Sequence, residues 1–113
     1  MATTQFIPST NSNGTSNLMC LLAPHQQQAL RLIMPRDMEK VFGHGSDVDI
    51  PSKGYTDPEW YFQSSDGCTW GVGWRWGQAR LRGRGATADG LFANRPTADQ
   101  ASEFIDFIIA ALD

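Results

Sequence analysis

The sequence predicts an α+β fold in which N-terminal helices precede a three-stranded antiparallel β-meander and a C-terminal helix packs on the aromatic face of that sheet. Apolar residues recur at a spacing of three and four on either side of a central region, which is the helix period. Within that region, residues 59–84, they alternate and are interrupted by two turn signals, which is the strand period. With 113 residues the chain suffices for one domain with a modest core.

The first helical region starts near Pro24. Leu30, Ile33, Met34, Met38, Val41 and Phe42 gather on one face, Pro24 suits a first turn, and Gly43 suits the left-handed residue that ends a helix. Pro35 interrupts this stretch, so two helical pieces sharing one apolar face are expected. Upstream, residues 1–19 are rich in Ser, Thr and Asn and read as a flexible polar arm, with Phe6 and Ile7 available to dock on the body. The domain itself is placed at 20–113.

The stretch GHGSDVDIPSKGYTDP, residues 43–58, reads as a long loop because it has Gly, Pro, Asp and Ser without periodicity. After it comes the meander. In SSDG, a three-residue loop of Ser65, Asp66 and Gly67 places Ser64 opposite Cys68, Phe62 opposite Trp70 and Trp60 opposite Val72. At the second turn, Gly77-Gln78 fits a type II′ loop and sets Trp76 against Ala79, Trp74 against Leu81 and Arg75 against Arg80. Both turns put Trp60, Phe62, Trp70, Val72, Trp74 and Trp76 on one side, where burial is expected.

A turn-rich exit, ATADGLFANRP, leads to the last helix, Ala98 to Leu112. Thr97 and Gln100 have capping-box spacing. Ala101, Phe104, Ile105, Ile108, Ile109 and Leu112 make its apolar face, and Asp99, Glu103 and Asp106 fall opposite.

The same alternation sends Tyr61, Gln63, Thr69, Gly71, Gly73, Arg75, Arg80, Arg82 and Arg84 to the other side of the sheet. Glycines there leave room for a close approach, and the segment 67–85 holds four arginines and no carboxylate. The candidate binding residues are therefore Tyr61, Gln63, Arg75, Arg80, Arg82 and Arg84. The arginines either pair with Glu59, Asp47, Asp49 or Asp57 or are open to a partner. Guanidinium groups fork onto phosphate and Tyr61 can stack on a base, so a phosphate-rich partner such as nucleic acid is the first expectation. An acidic protein surface, including that of a second copy, is the alternative. A net charge of −3 argues against general attraction to polyanions and leaves only the local one.

Catalytic chemistry finds no support. His25 and His44 show no sequence relation to Cys20 or Cys68, and Asp47 with Asp49 supplies too few oxygens for a hard cation. No catalytic residue, metal or cofactor is assigned, and a non-enzymatic binding module is expected. The two cysteines are expected to be buried free thiols. No apolar run is long enough to span a membrane and the start of the chain lacks a signal pattern, so a cytoplasmic protein without a membrane partner is expected.

Overall fold

A computed structural model describes residues 3–10, 15–50, 55–86 and 95–113. Part of the N-terminal arm, most of the exit after residue 86, and the side chains of Asp47, Asp49 and Asp57 lie outside the described residues. The strands are β1 (Phe6–Ser9), β2 (Ser16–Asn17), β3 (Ser46–Ile50), β4 (Tyr55–Ser64), β5 (Thr69–Arg75) and β6 (Gln78–Arg84). The helices are α1 (Pro24–Arg31), α2 (Pro35–Phe42) and α3 (Ala98–Leu112), with a short 3₁₀ turn at Met19–Leu21.

The α+β class and the C-terminal helix are as the sequence predicts, but the sheet is larger than a three-stranded meander. Five strands lie side by side in the order β1-β4-β5-β6-β2, and β3 pairs with the first half of β4. All pairings are antiparallel. Two of the added strands come from the polar segment read as an arm, and the third comes from the segment read as a loop. β1 and β3 mix Phe6, Ile7, Val48 and Ile50 with Ser, Pro and Asp, and β2 is Ser-Asn; runs this short mark a strand weakly, and pairing to the β4–β5–β6 ribbon supplies the rest.

Both N-terminal helices begin with proline in the first turn, as expected, and Gly43 ends α2 at φ 81°. Met34 N–H, just before α2, donates to Asp37 Oδ2 at 2.9 Å. Their shared apolar face is narrower than the spacing implies. Leu30, Ile33 and Met38 are buried, whereas Met34 and Val41 stand in solvent.

The β4–β5 hairpin has the expected register: Phe62 faces Trp70 and Trp60 faces Val72, with Gly67 at φ 92° closing the three-residue loop. The second hairpin differs. Its turn is Trp76-Gly77, with φ 57° and 77°, the double left-handed pattern of a type I′ loop. Arg75 therefore faces Gln78, Gly73 faces Arg80, Trp74 faces Ala79 and Trp70 faces Gly83. The shift is two residues, so the side chains that stay within β5 and β6 keep their predicted faces while their neighbours change. Packing explains the choice: a Cβ on Gly83 would lie 2.7 Å from Leu18 Cδ1 and 3.0 Å from Trp70 Cε3, so only glycine allows Trp70 and Leu18 to close over this position. The expected clash of Arg75 with Arg80 disappears with the same shift.

The core lies between the sheet and the helices. Phe104 of α3 stacks on Trp70 at 5.0 Å between ring centroids, and Phe62 receives Phe104 at 5.5 Å and Phe42 edge-on at 5.0 Å. Phe6 of β1 docks against Phe104 and Phe107. Each buried indole N–H has an acceptor: Gly43 O for Trp60, Ser64 Oγ for Trp70 and Ile33 O for Trp74. That satisfies the polar edge of a ring otherwise removed from water. Trp76, expected in this core, is 71% exposed because it occupies the turn. Thr97 and Gln100 cap α3 reciprocally, at 3.1 and 2.8 Å.

The thiols also divide. Cys68 is buried and free as expected, but Cys20 is exposed. Burial pushes the Cys68 thiol above its ordinary pKa, and the nearby Asp66 charge adds to the effect. Asp66 itself is raised by burial but lowered more by hydrogen bonds from the Ser64 hydroxyl, Cys68 and Gln100, and stands below the usual carboxylate value.

Candidate nucleic-acid interface

The face of the sheet away from the helices is built by cross-strand rows. In one row Glu59, Gly73 and Arg80 lie side by side on β4, β5 and β6; in the next, Tyr61, Gly71 and Arg82 do. Side chains at directly opposed positions share a face, so two large groups flank a glycine in each row. The glycines are occupied from within the chain. A Cβ on Gly71 would meet the Tyr61 ring at 3.3 Å, and one on Gly73 would meet Glu59 Cγ at 3.0 Å. Glu59 and Tyr61 thus lie flat across β5.

Glu59 and Tyr61 are buried despite belonging to the face opposite the core. The Tyr61 hydroxyl donates to Glu59 Oε2, and Arg82 Nη1 donates to Glu59 Oε1 at 3.1 Å. Arg82 Nη2 donates to the Thr15 carbonyl at 3.1 Å. A buried carboxylate is tolerated only when its acceptors are filled and its charge is met, and these contacts do both.

The six residues singled out from the sequence therefore divide. Tyr61 and Arg82 join the network around Glu59. Arg80 and Arg84 are half-buried along β6, opposite Gly73 and Thr69, while Gln63 and Arg75 are exposed. The Arg80 Nε atom is buried without a hydrogen-bond partner among the described residues. Arg75 and Arg80 also have no carboxylate within ion-pair distance among those residues.

Glu59, one of the four carboxylates that the sequence offers as ion-pair partners for the arginines, does pair with Arg82, and it is absent from the binding residues that the sequence predicts. The signal was present: Glu59 stands two positions before Tyr61 and so shares its face, and Gly71 and Gly73 follow on the next strand. Glycines on a strand leave room, but nothing in the sequence says whether a ligand or a neighbouring side chain fills it.

Where β1 ends and β3 begins along the outer edge of β4, a cavity of about 440 Å³ opens beside this network, lined by Ser9, His44, Ser46, Glu59, Trp60 and Tyr61 among others. Its His44 lies 3.9 Å from Glu39. Among the described residues no three His, Cys, Asp or Glu side chains are placed to hold a metal ion, and no helix is long and apolar enough to cross a membrane.

No protein-family model, no curated protein and no solved structure matches this chain.

Proposed function

We propose that this chain is a small non-enzymatic binding module in which the arginine-bearing face of β5 and β6 contacts a phosphate-rich partner such as nucleic acid. The observation that carries the reading is the contrast among neighbouring arginines. Arg82 is neutralised by Glu59 and anchored to Thr15, while Arg75 and Arg80 carry charges with no carboxylate partner among the described residues. The buried Arg80 Nε–H has no acceptor there, a condition that swinging the guanidinium outward onto a phosphate oxygen would relieve. In this reading Arg75, Arg80 and Arg84 make the contacts, Gln63 extends the polar surface, and Glu59 with Tyr61 holds Arg82 in place.

A second reading, an acidic protein surface as partner, is favoured by the Arg82–Glu59 pair. It shows a β6 guanidinium already meeting a carboxylate, and Arg75 or Arg80 could meet one from outside in the same way.

The test is fluorescence anisotropy of labelled random-sequence single- and double-stranded DNA and RNA at low and near-physiological salt, with the wild type and an Arg75→Ala/Arg80→Ala variant. Arg82 is left intact because it anchors Glu59. Binding that weakens with salt, with a log–log slope smaller by about two in the variant, supports the phosphate reading. No binding at low salt removes it and leaves the acidic-protein reading to be tested.

A further inference from the structure

β6 carries its arginines at alternate positions, Arg80, Arg82 and Arg84, so all three belong to the sheet face away from the helices. Two residues of extended chain advance about 7 Å, which is the step from one of these arginines to the next. Arg75 continues the row. It pairs with Gln78 while Arg80 pairs with Gly73, so Arg75 and Arg80 are diagonal neighbours, about 7–8 Å apart at the backbone. Four arginines are therefore rooted along one line of about 20 Å at a near-constant interval. That interval is close to the through-space separation of successive phosphates along one nucleic-acid strand.

Among the described residues of the sheet no second line of cations runs beside it. β1, β2, β3 and β4 contain neither Lys nor Arg, and Arg75 is the only one in β5. A duplex laid on this face presents two backbones across a groove, and the second of them meets no cation on any strand. The face also lacks the stacking ring that the sequence predicts. Tyr61 lies flat against Gly71, where a Cβ would meet its ring at 3.3 Å, and it is 7% exposed with its hydroxyl on Glu59. A base cannot stack on a ring already covered.

We infer that this face holds a single nucleic-acid strand along β6 by its phosphates, with the bases turned away from the sheet. The inference rests on the nucleic-acid reading above, to which it adds the strandedness of the partner and an indifference to base. Arg75 and Arg80 supply the attraction, since neither has a carboxylate within ion-pair distance among the described residues and the buried Arg80 Nε–H lacks an acceptor there. Arg82 stands in the same row, but Glu59 and the Thr15 carbonyl hold it.

Inorganic polyphosphate shares the phosphate chemistry and fits the row less well. Its phosphates are joined through shared oxygens and lie much closer together than the arginine step, so most of its charges fall between the guanidinium groups. A nucleic-acid strand has one charge for each step of the row.

The experiment is an anisotropy competition at low salt. The full chain bound to a short labelled DNA strand of mixed sequence is challenged with the same strand unlabelled, an abasic strand of equal length, the matching duplex, and polyphosphate of equal charge. The abasic strand should compete within about threefold of the base-bearing one, because loss of even one stacked base costs about fivefold or more. Duplex and polyphosphate should both compete less well than the single strand. Arg75→Ala and Arg80→Ala should each weaken the base-bearing and abasic strands by the same factor, about fivefold. A circular-dichroism melt checks that both variants fold; Arg75 is exposed, so its variant carries the test should Arg80→Ala unfold. Trp76→Ser should change neither affinity, since Trp76, although 71% exposed, lies in the turn past the end of the row. An abasic strand weaker by more than about threefold overturns the inference, as does a loss in Trp76→Ser confined to the base-bearing strand. So does a duplex or polyphosphate that competes as well as the single strand. Each of these outcomes leaves a phosphate-rich partner standing, whereas no binding of any strand removes that reading as well.

Discussion

Arg82→Ala should destabilise the protein more than Glu59→Gln, although both remove the same ion pair. The difference follows from exposure: the Glu59 side chain is 5% exposed and that of Arg82 is 42%. Deleting the guanidinium leaves a carboxylate out of water with the Tyr61 hydroxyl as its remaining donor among the described residues, and Thr15 O also loses its Nη2 bond. One-sided removal from a fully buried pair costs about 3–5 kcal/mol, and the half-exposed guanidinium here reduces the expected cost to about 2–3 kcal/mol. Glu59→Gln keeps the side-chain volume over Gly73 and an acceptor for its neighbours, and the charge it strands on Arg82 already reaches water. Its expected cost is about 1 kcal/mol, the scale of one hydrogen bond. The double variant should cost less than the sum of the two, because it no longer leaves a charge buried alone. Urea unfolding followed by tryptophan emission measures all three, with stability taken from midpoints at a common slope. At this chain length about 4 °C of melting temperature accompanies each kcal/mol, so the two single variants should separate clearly in a thermal scan. If Glu59→Gln proves as costly as Arg82→Ala, or if the double variant is additive within about 0.5 kcal/mol, Glu59 is not the buried, Arg82-dependent carboxylate described here.

Gly83→Ala should cost about 1–3 kcal/mol by overpacking Leu18 and Trp70, and more than Gly77→Ala, which meets nothing within 4 Å and carries only the strain of φ 77°; chemical denaturation ranks them. Asp66 has a lowered pKa in the fold, so its stabilisation is complete above the unfolded carboxylate value of about 3.9 and is lost as pH falls through the lower folded value. The stability gap between the wild type and Asp66→Asn should accordingly be widest near neutral pH and close under acid, whereas a gap unchanged on acidification refutes the assignment. In the native protein a thiol reagent should modify Cys20 and leave Cys68 unmodified until denaturant is added, and mass spectrometry of the labelled peptides reads the difference.

The sequence by itself determined the faces of the central sheet, the two proline-started helices and the capped C-terminal helix. These are local properties: alternation assigns a side chain to a face, and capping residues act within one turn. Alternation has period two, however, so it cannot distinguish registers that differ by two residues. The contact of Gly83 with Leu18 and Trp70 made that choice, moved Trp76 into solvent and set Arg80 and Arg82 opposite glycines. β1, β2 and β3 were hidden for a related reason: strands of four, two and five residues are too short for an alternation to stand out, and they exist through their pairing with β4 and β6. In the candidate site the arginines were legible as a face, because four of them fall on one parity. Which of them is already held was not legible. That depended on Glu59 and Tyr61 reaching across Gly71 and Gly73, and on Thr15 lying within reach of Arg82, 67 residues away along the chain.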